Sequence, residues 1–260
     1  MALAGLDHVV IAVTDLDRAA RAWAALGFTL SPRGVHSAHM GTINHTLMLG
    51  PDYIELLGVV QPTDGNRPTR AFLERNGEGI ERLAVRTTDA AADAAAARAG
   101  GIAAIGPVAF SRPVERADGK RLDAAFSVFY WPDEARVAEM RLFACQHHTP
   151  GAVWLPELQR HDNGARRILR LERAVGDPES AARGLAGLLG IAPRRIGADD
   201  DGRWRIATAP GRADIDFIEP TAALDEGAAR LVLASDDLTT IRRDAWRGNG
   251  VALVFEPERR

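Results

Sequence analysis

Two adjacent histidines, His147 and His148, follow an apolar segment in the stretch FACQHHTPGAVW. An imidazole can bind a divalent metal or transfer a proton near neutral pH, but paired histidines also occur at exposed strand ends. Together with His8 and Glu55, one of them would complete a set of two imidazoles and one carboxylate. Such a set binds Fe(II), Mn(II), Zn(II) or Ni(II) and leaves coordination positions open for substrate oxygens.

Strand alternation predicts which side chains share a face in the segments that carry His8 and Glu55. Val9, Ile11 and Val13 form one apolar face of the first segment, so His8 lies on the opposite face. Glu55 likewise lies between apolar neighbours in YIELLG and points away from them. Both groups are therefore expected on the face that is not packed under a helix.

The same alternation applies to the strand before the paired histidines. Phe143 and His147 share one face of that strand, whereas Gln146 and His148 belong to the other. His147 is accordingly the expected ligand. A bulge of one residue would replace it with Gln146 or His148, so the sequence leaves this third position open.

The elements that must position these residues form a repeat. The first copy begins with the segment LDHVVIAVTDLDRAARAWAALGF, which predicts a strand followed by a helix. Thr14 is the expected N-cap of the helix, and Gly27 ends it. Three strand-like segments follow by residue 60. The βαβββ pattern recurs from 80 to 148, more weakly from 166 to 220, and in truncated form from 229 to 257, where the middle strands are not evident.

Each such module needs a neighbour to bury its apolar face, so paired modules are expected. We place one pair in residues 1–160 and a degenerate pair in 161–260, joined by the proline-containing segment 149–165. The alanine-rich helices would also suit an unrelated α+β fold.

Composition narrows the possible functions. With 46% hydrophobic and 26% charged residues, a formal charge of −3 and one cysteine, Cys145, the chain is expected to be globular and cytoplasmic. It lacks the basic excess that nucleic-acid binding needs and the long apolar run that a membrane span needs. A single lysine, Lys120, disfavours Schiff-base chemistry.

The repeated modules resemble the vicinal oxygen chelate superfamily, which includes glyoxalase I and the extradiol dioxygenases. The resemblance is to its glyoxalase-like branch, and it is carried by the motifs HSAHMGTINHTLMLG, YIELL, FSRPVERADG and QHHTPGAVWLPELQRHDNGA. The resemblance covers most of residues 5 to 165. It implies an α+β fold in which two modules form a cup, and a divalent metal (Zn, Mn, Ni or Fe) bound inside it by residues of the first and last strands. His8, Glu55 and His147 match that pattern.

The sequence departs from the glyoxalase I pattern at the second module, where Arg82 stands in the position of His8. Arginine cannot ligate a cation; it could pair with a substrate carboxylate, or with Glu55 or Glu139. In the third module Arg170 and Asp216 replace the chelating pair. A second metal site is therefore not expected, and this half should serve as packing support or a dimer surface.

Five residues are assessed as further candidates for the site. Asn44 is expected to face the cup, where Phe143 would line the wall, and Arg112 could bind an anionic substrate tail or simply cover a sheet edge. His36 could act as an acid or base, or lie exposed at a strand end. By contrast, His45 is expected to be a core or edge histidine.

These residues favour a metal-dependent lyase or isomerase that acts on a small vicinal-oxygen substrate, and a homodimer is the oligomer we expect. One alternative is an extradiol-type ring-cleaving dioxygenase. Another is a non-enzymatic binding or resistance protein with a metal-free cup lined by Phe143, Trp131 and Tyr53.

Overall fold

A computed structural model describes residues 5–116, 119, 121–191, 194–195, 202–236 and 246–257. The elements of the first half are β1 (Leu6–Val13), α1 (Leu16–Ala25), β2 (Gly34–Val35), β3 (Thr42–Met48), β4 (Tyr53–Val59), α2 (Arg67–Asn76), β5 (Gly79–Arg86), α3 (Ala90–Ala99), β6 (Ile105–Glu115), β7 (Arg121–Tyr130) and β8 (Arg141–His147). Short 3-10 turns follow at Pro150–Ala152 and Pro156–Gln159.

The strands of the first half form one eight-stranded sheet in the order β2-β3-β4-β1-β5-β8-β7-β6. β1 pairs parallel with β4 and antiparallel with β5, and β5 pairs parallel with β8. Two βαβββ modules therefore join through their first strands into a common cup. The predicted α+β fold of paired modules is confirmed, including the helix over Ala90–Ala99.

The second half contains β9 (Ala165–Ala174), α4 (Pro178–Leu189), β10 (Arg194–Arg195), β11 (Trp204–Ile206), β12 (Asp214–Ile218), β13 (Ala229–Ser235), β14 (Trp246–Gly248) and β15 (Val251–Pro257). Its seven strands run in the order β10-β11-β12-β9-β13-β15-β14, so β9 and β13 take the central places that β1 and β5 hold in the first sheet. One short middle strand, β14, is present in the fourth module, where the sequence showed none. The helix expected in that module would lie outside the described residues.

The helices follow from local sequence signals. The N-cap of α1 is Asp15 rather than Thr14, because the Asp15 carboxylate accepts the backbone N–H of Arg18. Its buried stripe includes Ala19 and Trp23, as their helical spacing predicts. The strand-based repeat did not predict α2, which connects the modules and buries Phe72. None of the helices in the described residues is long and apolar enough to span a membrane.

Alternation along the strands separates two apolar layers. Val9 and Ile11 pack with Trp23 in the main core under the helices, whereas Val10 and Phe143 belong to a second cluster on the cup side. Each fully buried large aliphatic or aromatic side chain of this kind stabilises the fold by roughly 1.5–3 kcal/mol. This core includes buried residues of both halves, so the two sheets pack around one continuous apolar cluster.

A buried carboxylate also joins the two halves. Asp52 is fully buried and accepts the backbone N–H of Ile168 in β9 at 3.1 Å. Burial raises the pKa of Asp52 to about 7. Since this folded-state pKa exceeds the unfolded value, the contribution of Asp52 to stability is present below about pH 4 and declines as pH rises to about 7.

Replacing Asp52 with asparagine is expected to remove that decline, because asparagine resembles the protonated carboxyl. At pH 8 the variant should be more stable than the native chain by a few kcal/mol, on the order of 1.4 kcal/mol for each pKa unit. At pH 4 the two chains should differ little. Urea denaturation at both pH values measures the effect, and a difference between the chains that is equal at the two pH values would contradict it.

Candidate functional site

The concave face of the first sheet encloses a cavity of about 430 Å³, which we call the cup cavity. Polar residues of the first module line one side, and they include His8, Asn44 and Glu55. Apolar and aromatic side chains of the second module line the other side, among them Phe126 and Phe143. A cavity with an apolar wall and a few convergent polar groups is typical of small-molecule sites.

His8 and Glu55 face each other in the cup cavity. His8 Nε2 lies 3.7 Å from Glu55 Oε2, and His8 Nδ1 lies 2.8 Å from Asp7 Oδ1. When the His8 ring carries one proton, the bond to the Asp7 carboxylate places that proton on Nδ1. The lone pair of Nε2 then points into the cup. The Tyr53 ring stacks on His8 at 4.1 Å between centroids and fixes the plane of the imidazole.

Asp7 positions His8 from outside the cavity. Its carboxylate is fully buried and accepts hydrogen bonds from the His8 and His147 rings and from Arg86 Nε, the last at 2.7 Å. Burial opposes ionisation of Asp7, but these hydrogen bonds and the nearby imidazoles hold its pKa well below its usual range. Sequence reasoning missed Asp7, because alternation places it opposite His8. The register shift between Leu6 and His8 in the β1–β5 pairing lies at this point of the strand.

A second histidine, His36, approaches Glu55 from the loop side. Asn44 Nδ2 donates to Glu55 Oε1 at 2.7 Å, and His36 Nε2 lies 3.9 Å from the same oxygen. His36 Nδ1 is 2.8 Å from Thr42 Oγ1, so Nε2 is the ring nitrogen turned to Glu55. Asn44 pairs with Gly34 in the β2–β3 register, where a Cβ on residue 34 would overlap the Asn44 Oδ1 atom.

The charges of Glu55 and His36 follow from these contacts. Burial opposes the charged form of Glu55, but His36, His8 and the Asn44 hydrogen bond lower its pKa below the usual value. Burial lowers the pKa of His36, although the Glu55 charge acts in the opposite direction. At neutral pH the site therefore holds an ionised carboxylate beside a neutral imidazole.

His147, the third predicted ligand, lies on the far side of Asp7. Its Nε2 atom is 2.9 Å from Asp7 Oδ1 and 3.6 Å from Cys145 Sγ, and its ring packs against Trp154. His147 is not among the residues that line the cup cavity. In the described ranges, the ligand atoms of Asp7, Cys145 and His147 form a group within 4.8 Å of one another. The structure thus brings His8 and Glu55 together but does not place His147 with them.

The neighbours of His147 are turned away from the cavity, as alternation predicts. Gln146 Oε1 accepts the N–H of Ala90 at the start of α3. His148 Nε2 lies 2.8 Å from Ser127 Oγ. Both side chains therefore act as structural contacts of the second module.

Strand register places His147 further along β8 than the position that matches Glu55. Glu55 pairs with Val10, and the equivalent pairing in the second module joins Phe143 to Ala84. Phe143 consequently occupies the place in β8 that Glu55 occupies in β4, and His147 lies four positions further along the strand. Alternation identifies the face of a residue but not its position along the strand.

The structure places the four predicted substrate-binding residues at the cavity, but it gives Arg82 a different ion-pair partner from those expected. Asn44, Arg82, Arg112 and Phe143 all line the cup cavity. The sequence left Glu55 or Glu139 open as an ion-pair partner of Arg82. The partner in the structure is instead the adjacent residue Glu81, whose Oε2 atom accepts from Arg82 Nε at 2.5 Å.

Two other expectations concern residues away from the cavity wall. His45 Nδ1 lies 2.8 Å from the Ser31 carbonyl, in agreement with a structural role. Trp131, expected in the wall of a metal-free cup, instead packs against Phe129 in the main core, because it follows the end of β7 on the helix side.

The corresponding positions of the second sheet are occupied by ion pairs. Both oxygens of the fully buried Asp216 accept hydrogen bonds from Arg205, and Arg203 adds a third. Arg170, the counterpart of His8, pairs with Glu172 and Glu256. Guanidinium groups therefore neutralise the carboxylate that could have ligated a metal.

Paired βαβββ modules around a polar cup define the vicinal oxygen chelate fold. The chain belongs to the glyoxalase-like domain family, whose model matches residues 6–189. A search among curated proteins finds no match.

Solved structures share this fold at low sequence identity. A hypothetical protein from Staphylococcus aureus has a TM-score of 0.76 and 13% identity, over 97% of this chain and 99% of that chain. A mutant of 4-hydroxymandelate synthase from Streptomyces coelicolor has a TM-score of 0.55 and 17% identity, over 92% of this chain and 73% of that chain. Methylmalonyl-CoA epimerase from Mycobacterium tuberculosis is 24% identical over 56% of this chain and 89% of that chain, with a TM-score of 0.41.

Proposed function

We propose that the cup cavity is the active site of a divalent-metal-dependent lyase or isomerase that acts on a small substrate with two neighbouring oxygen atoms. The observation that carries the proposal is the arrangement of His8 and Glu55. His8 Nε2 and Glu55 Oε2 are 3.7 Å apart, close to the separation of about 3–3.5 Å between two ligands that each lie about 2.1 Å from one ion.

The donor set fits a divalent ion. His8 has the hydrogen-bond pattern of a metal-ligating histidine, with Nδ1 held by a buried carboxylate and Nε2 open to the cavity. Glu55 supplies an ionised oxygen ligand. The related positions in the second module, Arg82 and Phe143, supply none, which leaves the remaining coordination positions for water and substrate oxygens. A bound ion would polarise those oxygens and stabilise developing negative charge by several kcal/mol.

The side chains around that pair supply the remaining functions of the site. His36 is the acid–base group in this proposal, because its ring is neutral and its Nε2 faces the reaction space beside Glu55. Asn44 holds Glu55 in place through its amide. The Tyr53 hydroxyl lies 3.4 Å from His8 Nε2. It can therefore donate a hydrogen bond to a substrate oxygen bound beside His8.

The proposal favours lyase or isomerase chemistry over ring cleavage. A ring-cleaving site of the dioxygenase type needs two histidines and one carboxylate around iron. His147, the second histidine predicted for that set, would have to give up its bond to Asp7 to reach such an ion. His36 does not form a three-ligand group with His8 and Glu55 within 4.8 Å in the described residues. Proton transfer to and from carbon needs only the groups that already face the cavity.

Paired histidine variants test the ligand assignment. Replacing His8 with glutamine is expected to weaken Co²⁺ binding at least tenfold, roughly 1.4 kcal/mol or more, because it removes a direct ligand. The His147→Gln variant should lose less, since it acts only through Asp7. Isothermal titration calorimetry of the purified metal-free protein gives both affinities. A larger loss in the His147 variant would show that His147 is the ligand and contradict the two-residue site.

A further inference from the structure

Among the described residues, Arg112 is the cation of the cup cavity that has no carboxylate partner. Arg82 is paired with Glu81, which is itself buried. Arg112 also lines the cavity, and no carboxylate of the described ranges lies within ion-pair distance of its guanidinium group. An exposed arginine needs no partner, but Arg112 is half-buried over a ligand-sized cavity.

Arg112 extends from β6 towards the opposite edge of the sheet. β6 and β2 are the two outermost strands of the eight-stranded sheet. Arg112 Nη1 nevertheless lies only 3.8 Å from the point that a Cβ on Gly34 of β2 would occupy. The sheet is therefore curved enough for this guanidinium group to bridge the mouth of the cup, where an entering ligand must pass.

Aromatic side chains form the wall beside Arg112. Phe110 and Phe126 stack with ring centroids 5.2 Å apart, and Tyr130 and Phe143 stack at 5.8 Å. Phe110 is 46% exposed, which is unusual for a phenylalanine packed on a sheet. A planar apolar ligand that covered this ring would gain both apolar burial and aromatic stacking.

The charges fix the orientation of such a ligand. Glu55 is an anion within the first-module side of the cavity, so a second anion beside it would be repelled. Arg112 offers a planar pair of donors suited to a carboxylate. The ring then lies on the second-module wall, and the reacting oxygens lie towards His8.

We propose that the substrate is a small aromatic carboxylate, with its carboxylate paired to Arg112 and its ring against Phe110 and Phe126. The identity of the reacting end rests on the function proposed above. Carboxylate and ring recognition, however, need only Arg112 and the aromatic wall, and can be measured without turnover.

Phenylacetate is a suitable probe, with phenylacetamide as its neutral counterpart and acetate as its counterpart without a ring. In calorimetric titrations, the native chain is expected to bind phenylacetate at least tenfold more tightly than either counterpart. Arg112→Gln should remove the preference for carboxylate over amide. Arg121→Gln, which changes an exposed arginine of the neighbouring strand, should keep it. Equal binding of phenylacetate and phenylacetamide by the native chain would overturn the proposal.

Two more variants separate this inference from the metal proposal. Phe110→Ala should weaken phenylacetate binding severalfold and leave acetate binding unchanged; an unchanged phenylacetate affinity would overturn the ring assignment. Glu55→Gln should bind phenylacetate at least as tightly as the native chain, because it removes a like charge, and a weaker affinity would contradict the assigned orientation. A protein that binds no metal but shows the Arg112-dependent preference would refute the proposed function alone. Circular dichroism confirms that each variant is folded.

Discussion

The Glu55→Gln variant is expected to bind divalent ions roughly 100-fold more weakly than the native chain, about 3 kcal/mol. Glutamine keeps the shape of the side chain, but it removes the anionic oxygen that lies 3.7 Å from His8 Nε2. The fold should be retained, since Glu55 lies in the cup wall and not in the core under the helices. Calorimetric titration with Co²⁺ measures the affinity, and a chemical melt verifies the fold.

The same substitution should change the titration of His36. The Glu55 charge raises the pKa of His36 against the effect of burial, so its removal should lower that pKa further. NMR titration of the imidazole signals can follow this change. Unchanged metal affinity together with an unchanged His36 titration would show that Glu55 does not act in the site as described.

Replacing Asp7 with asparagine should cost roughly 3–5 kcal/mol of stability, the usual effect of removing one member of a buried charged network. Asp7 is fully buried and joins His8, His147 and Arg86. Asparagine can satisfy fewer of these donors and leaves the Arg86 charge without its partner. Urea denaturation at neutral pH measures the loss. Asp64→Asn, at an exposed position, is the matched control.

The pH dependence of this effect has a defined sign. The folded-state pKa of Asp7 is lowered, so its contribution is present above the unfolded value of about 4 and is lost as pH falls below it. The stability difference between the native chain and Asp7→Asn should therefore shrink between pH 5 and pH 3. A difference that stays constant over this range would show that the Asp7 charge does not stabilise the fold.

The sequence predicted the fold because the repeat carries its own signals. Alternation in β1 separated Val9 and Ile11 from His8, and the helix of the second module followed from Asp89 and the alanines after it. These are local patterns, which one strand or helix expresses by itself. Asn44 and Glu55 could be placed in the cup for the same reason.

The parts of the site that depend on distances between strands could not be predicted. His147 has the correct face, but the β5–β8 register carries it past the place that matches Glu55. Asp7 has the wrong face by alternation and contacts His8 where the β1–β5 pairing shifts register. The approach of Arg112 to Gly34 depends on the curvature of the whole sheet, which no single segment encodes.

The position of a bound ion is the most direct test of the account. Crystals equilibrated with Co²⁺ should show one anomalous peak in the cup cavity, about 2.0–2.2 Å from His8 Nε2 and from a Glu55 carboxylate oxygen. The peak should be absent from crystals of the Glu55→Gln variant. A peak held instead by Asp7, Cys145 and His147, or no peak in the cup of the native chain, would contradict the proposed metal site.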